Sequence, residues 1–151
     1  MPAAEIERAF ARIAAQPGKA VLPFVTAGYP SLEVTARALP ALAHAGAAAI
    51  EVGIPFSDPI ADGPVIASSM HDALQAGCTP EGVMAEVARV RGQVGAALLA
   101  MVSFSIVGRV GVDRFVGLAG DAGFDGLIVP DIDLDDAARV RAACDARGLG
   151  L

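Results

Sequence analysis

Basic residues are scarce in this chain, and so are cysteines, paired histidines and long apolar runs. Lys and Arg number 11 against 17 Asp and Glu, a net charge of −6 with a pI near 4.7. With no basic stripe to follow a phosphate backbone, nucleic acid is not an expected partner. Cys78 and Cys144 lie far apart and make no metal spacing, which reads as two reduced thiols and a cytoplasmic protein. His44 and His71 each stand without a His or Cys at ligand distance, so neither is assigned to catalysis or metal. No Gly-x-Gly-x-x-Gly follows the first apolar run, which argues against a dinucleotide fold. Gly117 to Gly123 is glycine-rich but falls at the end of a helical pattern. Apolar runs break well short of a membrane span, and the N-terminus lacks the charged-then-apolar order of a secretory signal.

What the chain has is apolar bulk: 54% hydrophobic residues and a mean hydropathy of +0.56. At 151 residues it has the length of one domain, residues 1–151, able to bury a sizeable core. Ile6, Phe10 and Ile13 predict a helix over Pro2 to Ala15, and Ala20 to Val25 a first strand. Ser31 then caps a helix to about Ala45, with a kink expected at Pro40. Ala48 to Val52 is the second strand; helices follow from Pro64 to near Gly77 and from Thr79-Pro80 to near Gly92. Ala97 to Val102, a helix over Val112 to Ala122, Gly126 to Val129, and a helix over Leu134 to Arg147 complete the series. Leu149 to Leu151 resembles the opening of a fifth strand. Strands and helices alternate, and the strands are apolar throughout, which predicts a parallel sheet covered by helices. Polar residues near the ends of successive strands, Thr26, Glu51, Ser103 and Asp131, favour a closed barrel over an open sheet.

The stretch from Ala49 to Pro64 is the site candidate. Glu51 sits inside an apolar run, where a charge is costly unless paired or neutralised. Eleven residues later Asp62 follows on a loop rich in proline and glycine. One acid is thus held on a rigid strand and the other on a movable segment, a pairing that can divide proton transfer from charge stabilisation. From position alone, Glu51 reads equally as a structural carboxylate paired with a base, and Asp62 as a turn former before Gly63-Pro64. Asp131, Asp133, Asp135 and Asp136 read as a capped and charge-complemented helix start, not as a metal set. Thr26 and Ser103 read as strand-end hydrogen bonders, since no His is placed to activate them.

Two motifs carry a family resemblance: Pro23-Phe24-Val25-Thr26-Ala27-Gly28-Tyr29-Pro30, and the unbroken run from Ile50 through Glu51-Val52-Gly53-Ile54-Pro55-Phe56-Ser57-Asp58 to Asp62-Gly63-Pro64. With Gly77-Cys78-Thr79-Pro80 and Gly123 to Asp131, they resemble the tryptophan synthase alpha subunit over nearly the whole chain. The resemblance implies the N-terminal half of a (β/α)8 TIM barrel, about four βα units plus an N-terminal helix, ending near the start of the fifth strand. It implies a lyase that cleaves indole-3-glycerol phosphate to indole and glyceraldehyde 3-phosphate in an alpha–beta heterotetramer, with Glu51 as proton carrier and Asp62 beside the indole N–H. Phe24, Ala100 and Val129 would line the indole pocket, while Pro55 and Asp58 would face the beta subunit. No cofactor or metal is expected, pyridoxal phosphate belonging to that partner.

The chain departs from the family in having Ser103-Phe104-Ser105-Ile106 where a Tyr and an Asn-Pro pair are usual, and Asp131-Ile132-Asp133 where Asp-x-Pro is usual. The alternatives are an inactive half-barrel that only folds or self-associates through open sheet edges, and a different barrel lyase or isomerase acting on a phosphorylated substrate.

Overall fold

The computed structural model describes residues 4–15, 17–59 and 62–151. The expected helix start at Pro2, and Ile60 and Ala61 of the long motif, lie outside the described residues. The elements are α1 Ala4–Ala14, β1 Phe24–Thr26, α2 Leu32–His44, β2 Ala49–Gly53, α3 Pro64–Gln75, α4 Pro80–Val90, β3 Ala97–Met101, α5 Phe104–Val110, α6 Val112–Ala122, β4 Gly126–Ile128 and α7 Leu134–Arg147. A 3-10 turn at Arg91–Gln93 joins α4 to β3.

Capping explains several helix boundaries. Ser31, Thr79 and Asp133 accept the Val34, Gly82 and Asp136 N–H groups at the starts of α2, α4 and α7. Left-handed glycines, Gly123 and Gly148, close α6 and α7. α2 runs through Pro40 as one helix.

Two elements differ from the sequence reading. β1 begins at Phe24 and not at Ala20: the Val21 and Pro23 carbonyls accept from Ala48 and Glu51 N–H, but Pro23 has no N–H with which to extend a ladder. α5 fills a stretch read as connection. Ser103 caps it, accepting from Ser105 N–H, and Gly111 at φ +96° separates it from α6.

The four strands are parallel in the order β1-β2-β3-β4. With no reversal of order there is no switch point of the doubly wound kind; this is the one-way winding of a (β/α)8 barrel, and the described chain is half of one. Gly150 forms a parallel bridge to Gly126, which places the expected fifth strand beside β4.

The two faces of the sheet have different cover. Ile50, Val52, Leu98, Ala100 and Leu127 belong to one large core with Leu39, Val83, Phe115, Val116 and Val140 of the helices. Alternate residues face the other way: Ala49, Ala97 and Leu99 cluster with Ala9 of α1, with Ile6 and Ile128 packed against them. α1 therefore covers the N-terminal part of this second, inner face. Gly126 makes room for it, since a Cβ there would lie 2.8 Å from Ile6 Cδ1.

Candidate active site

Glu51 stands at the centre of β2, in register with Phe24 on β1 and Leu99 on β3. Its parity with Ala49, whose partner is Ala97, puts it on the inner face with the α1 cluster. The side chain is half-buried and its carboxylate has no hydrogen bond or ion pair with another described residue. A carboxylate so placed, level with Phe24 and Leu99 and unpartnered among the described residues, is open to a ligand on the inner face.

Asp62 lines a small pocket of about 60 Å³ across the C-terminal ends of β2, β3 and β4, with Ile54, Phe56, Met70, Met101 and Pro130 among its walls. Met101 pairs with Gly53, so the pocket opens two residues, roughly 7 Å along the strand, beyond Glu51. Asp62 N–H donates to the Pro59 carbonyl at 3.1 Å. Its carboxylate, like that of Glu51, is unpartnered among the described residues.

The pocket's far wall is tied together by Asp131. Ser103 Oγ donates to Asp131 Oδ2 at 2.6 Å and Phe104 N–H to Asp131 Oδ1 at 2.8 Å, bridging the ends of β3 and β4. Ser103-Phe104-Ser105 thus builds polar support through a residue of the next strand. Thr26 is also a strand-end hydrogen bonder, its Oγ1 lying 2.7 Å from Ser69 Oγ. Asp133 caps α7, and no group of three or more His, Cys, Asp or Glu among the described residues could hold a metal ion.

Phe24, Glu51 and Asp62 are brought to the inner face and its mouth, but Ala100 and Val129 are not. Ala100 pairs with Val52 and Leu127, and both Ala100 and Val129 are buried in the core under the helices. The inner-face positions beside Glu51 belong instead to Leu99, Met101 and Ile128, of which Met101 and Ile128 are paired. Sequence reading missed these three because a strand apolar on both faces does not reveal its parity; counting in steps of two from Glu51's neighbours would have found them. On the loop, Pro55 is buried while Asp58 is exposed and accepts from Ser57 Oγ.

Comparison with known proteins bears on the family and the fold. A family model described as tryptophan synthase alpha chain matches residues 10–151. The tryptophan synthase alpha chain of Nitratidesulfovibrio vulgaris strain Hildenborough is 42% identical over 151 residues, 100% of this chain and 59% of that protein. That of Prochlorococcus marinus strain MIT 9313 is 40% identical over 148 residues, 98% of this chain and 54% of that protein. Among solved structures, tryptophan synthase subunit alpha from Legionella pneumophila superposes with a TM-score of 0.90 at 32% identity, covering 99% of this chain and 56% of that one. Tryptophan synthase from M. tuberculosis in its aminoacrylate-bound form gives 0.89 at 33% identity, covering 96% and 59%. The chain spans a little over half the length of these relatives.

Proposed function

Since the chain belongs to the tryptophan synthase alpha chain family, we propose that the complete protein is the lyase that splits indole-3-glycerol phosphate into indole and glyceraldehyde 3-phosphate. The observation that carries the reading is the placement of Glu51: mid-strand, on the inner face, in register with Phe24 and Leu99. Cleaving the bond between ring carbon and side chain requires a proton delivered to that carbon and another removed from the side-chain hydroxyl. Glu51 does both in turn, as acid and then base. Positive charge develops meanwhile at the ring nitrogen, and Asp62, accepting the ring N–H, offsets it. Phe24, Leu99, Met101 and Ile128 provide the apolar bed for the indole, a role that Ala100 and Val129 on the opposite face do not share.

The reaction needs no cofactor from this chain, because a carboxyl pair supplies both proton transfer and charge stabilisation. A pyridoxal-phosphate beta subunit is the proposed partner in an alpha–beta heterotetramer, with the exposed Asp58 presented to it and the buried Pro55 holding the loop in place beneath. Two free, buried cysteines support a cytoplasmic location.

The test uses the complete polypeptide. Glu51→Gln is expected to lower indole release about 10³-fold while leaving the unfolding midpoint in place, because no described partner loses a bond. Turnover like that of the unsubstituted protein would end the assignment.

A further inference from the structure

Gly53 is one step of two beyond Glu51 on the same face of β2, opposite Thr26 and Met101 in the ladder. It is buried, and its backbone is ordinary for a strand, its carbonyl accepting from Ala27 N–H at 2.9 Å. Nothing in the main chain therefore requires glycine here. The surroundings do. A Cβ at this position would lie 2.4 Å from Phe24 Cζ and 2.7 Å from Phe24 Cε2, with Met70 Cε at 3.4 Å. Carbon atoms in contact sit about 3.5–4.0 Å apart, so the ring fills the space a side chain would take.

Phe24 is level with Glu51, yet its ring tip lies over Gly53. The aromatic plane thus leans along the strand from the level of Glu51 toward the mouth, and Met70, which backs the same spot, also lines the pocket with Asp62. We propose that Gly53 is a positioning residue for the reaction, its missing side chain seating the Phe24 ring as the floor on which the substrate's indole lies between Glu51 and Asp62. The inference rests on the lyase reading above and adds to it a residue that touches no substrate.

Any methyl group at Gly53 must drive the ring off by about 1 Å, into the space meant for substrate. Misplacement on that scale costs on the order of 10²-fold in rate. In the complete polypeptide, Gly53→Ala should lower kcat/KM for indole-3-glycerol phosphate about 10²-fold, mainly through kcat, with an unchanged pH profile. Phe24→Leu removes the ring carbons that collide, so adding Gly53→Ala to Phe24→Leu should cost less than about threefold more. Equal costs of Gly53→Ala in the two backgrounds, or none in the first, would overturn the inference and leave the lyase reading standing. If Gly53→Ala fails to fold, the double variant decides: activity equal to that of Phe24→Leu supports the proposal, and a second failure to fold overturns it. An unsubstituted polypeptide that releases no indole would instead remove the lyase reading itself.

Discussion

At the N-terminal ends of β3 and β4, the Arg91 guanidinium donates to the Gly123 and Val94 carbonyls at 2.6 and 2.5 Å and to Asp125 Oδ2 at 3.0 Å. The same Asp125 oxygen accepts Leu98 N–H at 2.8 Å. The carboxylates of mid-strand Glu51 and of Asp62, on the loop beyond the C-terminal end of β2, have no such partners among the described residues. Carboxylates therefore play opposite parts at the two rims. Where one Asp125 oxygen takes both the Leu98 N–H and Arg91, the group locks 3-10 turn, strand and helix end together; where a carboxylate is left open in a pocket, as that of Asp62 is, it is available to a ligand. Asp131 shows the intermediate case: it lines the same pocket as Asp62, yet its carboxylate is held by Ser103 and Phe104 and shapes the wall.

Three substitutions or conditions would break this contrast if it is false. The largest effect is expected for Asp62→Asn in the complete polypeptide: about 10²-fold lower indole release, with an unfolding free energy within about 0.5 kcal/mol of the parent. A large stability loss with normal turnover would place Asp62 with the structural acids.

Arg91→Ala should do the reverse, costing about 2–3 kcal/mol in urea unfolding. The pair is 26% and 14% exposed, which keeps the loss below that of a fully buried pair. Burial pushes the Asp125 carboxyl above its ordinary value, while the Leu98 N–H and Arg91 pull it down. Without Arg91 it rises further. A folded state that holds its proton more tightly than the unfolded chain gains as pH falls, so the variant's deficit should shrink toward acid pH. A deficit that is constant down to pH 3 would show that the ion pair is not its source.

Cys144 gives the smallest effect. Fully buried on α7, its thiol is pushed by burial from 9.0 to about 11. The stability tied to the neutral thiol is intact below 9.0 and is lost as pH rises toward 11, on the order of 2 kcal/mol in all. Comparing unfolding at pH 8 and pH 11 with Cys144→Ala isolates it, and parallel curves for the two proteins would refute it.

Much of this was legible in the linear chain. Ser31, Thr79 and Asp133 announced their helices because a capping side chain reaches only three residues ahead. α6 and α7 end where glycine admits a left-handed turn. Helices placed between short, mainly apolar strands identified a parallel, helix-covered sheet. Glu51 betrayed itself as a charge in an apolar run, and the motif reaching to Asp62 carried the family. α5 was lost because seven residues with Gly108 inside make a weak periodic signal; its cap, Ser103, was the available clue.

What the sequence by itself determined, then, was the order of elements, the two acids and the family, all properties written within a few residues or in an unbroken motif. Tertiary structure alone decided which face each strand residue serves. It set Leu99, Met101 and Ile128, and not Ala100 and Val129, on the face that carries Glu51, brought Arg91 to Asp125 across 34 residues, and laid the Phe24 ring over Gly53. The reason is that side-chain direction in a strand alternates with a period of two and is fixed only by pairing register, while contacts between distant segments exist only after the sheet has formed.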